Sequence, residues 1–223
     1  MSRAGLLFDL DGTLVHTDPV HFRAFNAMLA TQGRSIDLDG YLTHIIGRSN
    51  AAIMAGLFPD LPVSEHRRLA DLKEATFRSL ALDLTPLRGL VALLDAADVV
   101  GLPWGVVTNA PRANAEHLLA ALGLRQRTRV LVIGEELARA KPDPLPYQTG
   151  LALIGADATH CLAFEDSASG IRSAAAAGLA VAGLTTSLGA EALSGAGATL
   201  CAPDFADRAL LGLVDRITSL TVR

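Results

Sequence analysis

The stretch LLFDLDGTLV, residues 6–15, joins a short apolar run to two aspartates that stand two positions apart. Continuous apolar runs of this length are typical of strands that are buried on both faces of a parallel sheet. Asp9 therefore follows directly on a predicted strand, and Gly12 gives the backbone the freedom for a tight turn beyond Asp11. The stretch predicts a rigid strand that ends in two carboxylates.

Four further apolar runs have the same character, and longer helical patterns separate them. The runs are WGVVT from Trp104, VLVI from Val130, CLAFE from Cys161 and LAVAGL from Leu179. Helices are predicted over 87–97, 112–122, 144–154 and 169–177, and a glycine follows each of the last three as a C-terminal stop. The alternation predicts an α/β fold with a doubly wound parallel sheet and helices on both faces.

The interval from about Pro19 to Asp83 breaks this alternation. It shows several amphipathic helical patterns and no convincing strand, with punctuation at Gly33, Gly40, Gly47 and Pro59. We therefore expect an α/β core formed by residues 1–16 and 84–223, and an inserted all-α domain formed by residues 17–83.

Composition limits the classes of function. The 223 residues are half hydrophobic and carry a net charge of −4, so a large buried core is expected and nucleic acid is not an expected partner. Cys161 and Cys201 lie in apolar runs and are interpreted as buried free thiols. Neither a signal peptide nor a bilayer span is recognisable, which favours a cytoplasmic protein without a membrane partner. We expect a monomer.

Polar side chains follow the predicted strands at the edge where doubly wound sheets bind ligands. They are Asp9 and Asp11 after the first strand, Thr108 and Asn109 after the second, Lys141 in the loop after the third, and Glu165 and Asp166 after the fourth. Each has an ordinary structural alternative as a turn, cap or surface residue. Together they supply anionic oxygens, hydrogen-bonding groups and one cation, which indicates a site for a divalent metal and a phosphate.

Separate roles can be argued for these residues. Asp9 is held by a strand and can attack a phosphorus atom, while Asp11 can protonate the leaving oxygen. An all-oxygen set from Asp9, the main-chain carbonyl of Asp11 and Asp166 favours Mg²⁺ over Zn²⁺. Lys141 would neutralise the remaining phosphate and carboxylate charge.

The segments DLDGTLV, VVTNA, AKPDP and FEDSASGI, in that order, resemble the four motifs of the haloacid dehalogenase superfamily of phosphohydrolases. The resemblance extends over essentially the whole chain and is closest to the subgroup of β-phosphoglucomutases and phosphoglycolate phosphatases. It implies a Rossmann-like core with a helical cap at residues 17–83 and an aspartyl-phosphate intermediate on Asp9. It also implies phosphate contacts from Thr108, Asn109 and Lys141, and Mg²⁺ held by Asp166 with Glu165 adjacent to the metal or holding a metal-bound water.

Three residues of the insertion are candidate substrate contacts. Arg48, in GRSN, is suited to clamp an anion, and Lys73 lies at a position where relatives of this subgroup contact substrate with lysine. His21 is either a packing residue, since Phe25 and Met28 follow at helical spacing, or a group at the interface of cap and core. His16 stands where many relatives have aspartate. Solvated surface positions remain the alternative for Arg48 and Lys73.

The leading hypothesis is Mg²⁺-dependent hydrolysis of a small phosphorylated metabolite, either a sugar phosphate or a short organic acid phosphate. A phosphomutase that returns the phosphoryl group to sugar is the alternative, and a non-catalytic sugar-phosphate binding protein is a third reading. A dehalogenase would not need Asp11, because a halide leaves without a proton. A phosphonate-cleaving enzyme would need a Schiff-base lysine, for which Lys73 is the candidate.

Overall fold

The computed structural model describes residues 3–45 and 48–219 of the chain. It divides into two compact units, which we call the core unit, Met1–His16 with Leu84–Arg223, and the helical unit, Thr17–Asp83. Each unit contains its own buried apolar cluster. Gly47, one of the predicted interruptions of the insertion, lies outside the described residues.

The core unit contains a six-stranded sheet in which every neighbouring pair is parallel. The strands are β1 Gly5–Phe8, β2 Trp104–Thr108, β3 Leu131–Ile133, β4 Cys161–Glu165, β5 Ala180–Leu184 and β6 Leu200–Ala202, in the order β3-β2-β1-β4-β5-β6. β1, β2 and β4 are buried throughout, as expected for strands covered on both faces. The α/β class and the parallel sheet are thus confirmed.

Helices connect the strands and build the second unit. In chain order they are α1 Asp18–Ala30, α2 Leu38–His44, α3 Asn50–Leu57, α4 Val63–Leu80, α5 Leu90–Val100, α6 Arg112–Ala121, α7 Leu145–Ile154, α8 Ala168–Ala176, α9 Ala190–Ala196 and α10 Arg208–Thr218. The first four form the helical unit, where α1 packs on α4 around a cluster that includes Phe25, Met28 and Leu69.

The structure differs from the sequence-based expectation at several elements, and the helices α9 and α10 were not predicted. The strand β6 was not predicted, because it has three residues of which two are only partly buried, and its apolar pattern is too short to stand out. The helix predicted over 87–97 begins later, at Leu90. Gly89 precedes it with a φ of +85°, and a Cβ there would lie 2.5 Å from the main-chain nitrogen of Ala206.

The register brings the carboxyl ends of three adjacent strands together. Phe8 of β1 pairs with Val106 of β2 and with Phe164 of β4. Asp9 and Glu165 each follow these paired positions by one residue, and Asp9 donates its main-chain N–H to the carbonyl of Phe164 at 2.9 Å. The sheet itself therefore places two acidic side chains next to each other.

Candidate active site

Lys141 lies at the centre of the polar groups that the sheet collects. Its ammonium Nζ donates to Asp9 Oδ1 at 2.6 Å, to Glu165 Oε1 at 2.6 Å and to the main-chain carbonyl of Val107 at 2.7 Å. The side chain is 3% exposed. Three donors of one ammonium thus reach β2, β4 and the residue directly after β1, and they fix the loop that follows β3 across the edge of the sheet.

Asp166 lies beside the turn that carries Asp11. Gly12 has a φ of +72°, and a Cβ at this position would lie only 1.9 Å from Asp166 Oδ2. Glycine is therefore required both by the backbone conformation and by the close approach of the carboxylate. The turn is also tied to the loop after β5, because the hydroxyl of Thr186 donates to the carbonyl of Gly12. Sequence reasoning did not single out Thr186.

Burial and neighbouring charges together shift the pKa values of Asp9 and Lys141. Burial is the largest influence on Asp9; Lys141 opposes it, Glu165 and Asp11 reinforce it, and the net effect raises the pKa of Asp9 to about 8. Burial alone would lower the pKa of Lys141, but the carboxylates of Asp9 and Glu165 outweigh it and raise the pKa above its ordinary value. The lysine therefore stays charged while two carboxylates share it.

The donor set of this cluster fits a hard divalent cation. Asp9, Glu165 and Asp166 are all buried, and each offers an oxygen within 4.8 Å of the others. When all three are ionised, these buried carboxyl groups exceed the charge of one ammonium, and a cation would balance the excess. Oxygen ligands without cysteine or histidine favour Mg²⁺.

Glu165 is held in place by residues that were not predicted as site residues. Oε1 accepts from the hydroxyl of Tyr147 at 2.8 Å in addition to Lys141, and Oε2 accepts from the hydroxyl of Ser167 at 3.0 Å. Ser167 also caps α8 by accepting from the N–H of Gly170. Burial, followed by the charges of Glu165 and Asp9, raises the pKa of Tyr147 well above its ordinary value, so the phenol is a proton donor.

Thr108 and Asn109 lie on the neighbouring strand end. The Thr108 hydroxyl is buried and accepts from the N–H of Ala110 at 3.0 Å, which leaves its own proton for a ligand. The side-chain amide of Asn109 forms two hydrogen bonds of 3.2 Å with the main chain of Lys141, one to the N–H and one to the carbonyl. These bonds connect the loop after β2 with the loop that carries the lysine.

The helical unit contains a second buried lysine. Lys73 Nζ donates to Glu74 Oε1 at 2.9 Å and lies 3.0 Å from His21 Nδ1, while Asn50 donates to the same Glu74 oxygen at 2.7 Å. The rings of His21 and Phe77 are stacked with centroids 4.0 Å apart. His21 and Lys73 are thus brought together, and His21 does pack on an aromatic residue as one of its two interpretations held.

The remaining candidates are placed as follows. Arg48 is exposed just before α3, whose N-cap is Ser49. His16 is exposed, and Asp11 is half-buried in the turn after β1. The structure therefore joins Asp9, Lys141 and Glu165 through direct contacts and places Asp166 within 4.8 Å of the two acids, with Asp11 on the turn after β1 and Thr108 and Asn109 at the end of β2.

Comparison with known proteins shows the family to which the chain belongs. Residues 4–178 match the family model of the haloacid dehalogenase-like hydrolases. A phosphoglycolate phosphatase of Xylella fastidiosa is 37% identical over 175 residues, which cover 78% of this chain and 76% of that protein. Validoxylamine A 7′-phosphate phosphatase of Streptomyces hygroscopicus is 33% identical over 198 residues, covering 84% of this chain and 88% of the relative.

A solved structure extends the likeness to three dimensions. CbbY from Rhodobacter sphaeroides, in complex with xylulose-(1,5)bisphosphate, aligns with a TM-score of 0.78 and 27% identity over 93% of this chain and 96% of that one. The six-stranded parallel sheet with helices between its strands defines the class as an α/β protein with a Rossmann-like fold. The chain belongs to the haloacid dehalogenase-like hydrolases. It is an enzyme of that family, and its named relatives include several phosphatases.

No helix among the described residues combines the length and the apolar character needed to cross a membrane.

Proposed function

We propose that the chain is a Mg²⁺-dependent phosphatase that hydrolyses a small phosphomonoester through a phosphoryl group carried by Asp9. The observation that carries the proposal is the cluster in which one buried ammonium, Lys141, holds Asp9 and Glu165 at 2.6 Å each, beside Asp166. Acids and a fixed cation in this arrangement suit the transfer of an anionic group.

The first half of the reaction uses two carboxyl groups in different protonation states, an ionised Asp9 and a protonated Asp11. The carboxylate of Asp9 attacks phosphorus, and the bond between phosphorus and the ester oxygen breaks. Asp11 gives its proton to that oxygen, so the alcohol leaves neutral. Asp11 is half-buried and Asp9 buried, so the two carboxyls have the different environments that a division of roles requires.

The second half restores the enzyme. A water molecule attacks the phosphorus of the aspartyl phosphate, Asp11 accepts its proton, and inorganic phosphate leaves Asp9 as a carboxylate. The hydroxyl of Thr108 donates to a phosphate oxygen, and Lys141 supplies a fixed positive charge in both halves.

Asp9, Asp166 and the main-chain carbonyl of Asp11 would hold Mg²⁺, with Glu165 adjacent or holding a water of the ion. When bound, the ion supplies positive charge that stabilises the transferring phosphoryl group. Lys141 remains necessary, because it balances the two carboxylates that it contacts.

For the substrate we propose a sugar phosphate or a short organic acid phosphate. The relatives named above support this class, because their names specify phosphate esters of small metabolites. We keep residues 17–83 as a proposed cap, with Arg48, Lys73 and His21 as its candidate contacts to the part of the substrate beyond the phosphate. Lys73→Met should then raise KM about fivefold, the worth of about one hydrogen bond, and lower kcat less.

Phosphate release from a panel of sugar phosphates, phosphoglycolate and nucleotides, with and without Mg²⁺, tests the proposal. We expect metal-dependent release that Asp9→Asn abolishes and that the surface control Asp60→Asn leaves intact. Absence of release, together with interconversion of sugar phosphate isomers that a bisphosphate activates, would instead establish the phosphomutase alternative. Silence in both assays would favour the binding-protein reading.

A further inference from the structure

Tyr147 is a buried polar residue that the proposed reaction does not use. It lies in the first half of α7, its side chain is fully buried, and its hydroxyl donates to Glu165 Oε1 at 2.8 Å. The ammonium of Lys141 lies 5.1 Å from the centre of its ring. The same phenol therefore contacts both partners of the ion pair between Lys141 and Glu165.

The carboxylate of Glu165 has all its acceptor positions in use. Oε1 accepts from Lys141 and Tyr147, and Oε2 accepts from the hydroxyl of Ser167 at 3.0 Å and from its N–H at 3.4 Å. An ionised carboxylate has about four such positions. The packing leaves no slack, because a Cβ at Gly170 would lie 1.8 Å from Oε1. Removing the Tyr147 hydroxyl would leave Oε1 with Lys141 as its remaining donor among these contacts, so the carboxylate would shift by the small amount that this packing allows.

The orientation of Glu165 is one of three influences on the position of the Lys141 ammonium, beside Asp9 and the main-chain carbonyl of Val107. The amine is 2.6 Å from both Asp9 and Glu165. A rotated Glu165 would change its own distance to the amine and thereby the distance between the amine and Asp9. Because Asp9 is the proposed nucleophile, its charge balance depends on a carboxylate that lies one strand away. A donor behind that carboxylate therefore acts on the reaction without touching the substrate.

We propose that Tyr147 is a positioning residue whose hydroxyl orients Glu165 and, through it, fixes the ammonium of Lys141 against Asp9. The consequence for turnover rests on the proposed function; the consequence for the amine does not. The role belongs to the hydroxyl and not to the ring, since phenylalanine would fill the same space and leave Oε1 with one donor fewer.

Tyr147→Phe removes only the hydroxyl, and Tyr41→Phe is its matched control. These are the two tyrosines of the chain, both are buried, and Tyr41 lies in the helical unit. We expect Tyr147→Phe to lower kcat about tenfold, below the roughly hundredfold cost of a 1 Å misplacement, with KM changed less than about twofold. Tyr41→Phe should leave kcat unchanged. An unchanged kcat in Tyr147→Phe would overturn the proposal.

A double-mutant cycle with Glu165→Gln tests the route of the effect. If Tyr147 acts through Glu165, adding Tyr147→Phe to Glu165→Gln should lower kcat no further. Losses that multiply in the double variant would mean that the phenol acts independently of Glu165, and the proposal would be wrong.

The ammonium resonance of Lys141, assigned with Lys141→Arg in ¹⁵N-lysine-labelled protein, gives a readout without turnover. Tyr147→Phe should shift this resonance and speed the exchange of its protons with water, and Tyr41→Phe should do neither. An unmoved resonance would contradict the positioning role. If Tyr147→Phe shifts this resonance but the wild-type protein releases no phosphate from any substrate, the positioning role stands and only the proposed function is refuted.

Discussion

Each unit contains one buried lysine, and the two lysines differ in the partners that balance their charge. Lys141 in the core unit contacts groups on three strands, and its partners lie 24 to 132 residues away in the chain. Lys73 in the helical unit contacts the carboxylate of the next residue, Glu74, and lies over the rings of Phe25 and Phe77 at 4.7 and 5.7 Å. Burial is similar, with side chains 3% and 4% exposed.

The difference lies in the charge that remains. Lys141 is outnumbered by Asp9, Glu165 and the adjacent Asp166, so this region has a negative excess that a cation can balance. Lys73 has one carboxylate: burial would raise the pKa of Glu74, but Lys73 and the hydrogen bond from Asn50 outweigh it and lower the pKa. The cluster around Lys141 is suited to bind a cation and an anionic substrate group. The cluster around Lys73 is nearly neutral and offers hydrogen bonds.

Replacing each lysine by methionine gives the largest contrast. Lys141→Met should lower kcat by about 10²- to 10³-fold, because a fixed charge at the transferring group is lost. It should also destabilise the metal-free protein by about 3–5 kcal/mol, since buried carboxylates lose their partner. Steady-state kinetics and urea unfolding measure the two effects. An Lys141→Met variant as active as Lys73→Met would remove the distinction between the lysines.

The affinity of the acidic cluster in the core unit for Mg²⁺ should depend on pH. The pKa of Asp9 is raised to about 8 in the metal-free fold, so at pH 6 to 7 a cation must displace its proton. Calorimetric Mg²⁺ affinity should therefore rise up to about tenfold per pH unit below 8 and level off above it. Asp9→Asn should weaken binding and flatten this slope. An affinity that is independent of pH from 6 to 8 in the wild type would contradict the shared-charge account.

The raised pKa of Asp9 also makes the free energy of unfolding depend on pH. The folded metal-free protein holds a proton on Asp9 that the unfolded chain releases above its ordinary pKa of 3.8. This contribution is present below that pKa and is lost as pH rises through about 8, so the free energy of unfolding should fall across this window. Urea unfolding in a chelator should show the fall, and Asp9→Asn should reduce it. Equal pH profiles for both proteins would argue against it.

The cluster around Lys73 can be tested by removing one charge or two. Lys73→Met leaves Glu74 buried without its cation, whereas the pair Lys73→Met with Glu74→Gln leaves no charge. The double variant should therefore unfold at a higher urea concentration than the single variant. Equal midpoints would mean that Lys73 and Glu74 interact too weakly to neutralise each other.

The smallest expected effect concerns the main chain of Lys141. Asn109→Ala removes two hydrogen bonds to it and should lower kcat severalfold through looser placement of the loop, while inhibition by inorganic phosphate stays unchanged. Parallel weakening of phosphate inhibition would show instead that the side chain contacts the phosphate, as the family resemblance implies.

Much of the core unit could be predicted because its motifs lie at strand ends. Parallel strands carry their carboxyl ends to one edge, so Asp9, Thr108 and Glu165 could be grouped from their position after apolar runs. Lys141 could be added by the motif order, although it lies in a loop and not in a strand or helix.

Other contacts had no signal in the sequence. Tyr147 falls in a helical pattern that would suit any core aromatic, and Thr186 lies in a loop after β5 whose path is set by the whole sheet. The contact between His21 and Lys73 joins residues 52 apart on two helices, and its geometry depends on how those helices pack. Such pairs follow from tertiary packing, which helical periodicity alone does not determine.

The most direct test of the central claim is mass spectrometry of the acid-quenched enzyme during turnover of the best substrate with Mg²⁺. Our account predicts that one phosphoryl group appears on the peptide containing Asp9 and disappears as substrate is consumed, and that Asp9→Asn carries none. Phosphate release at an undiminished rate by Asp9→Asn, or a phosphoryl group found on another residue, would contradict it.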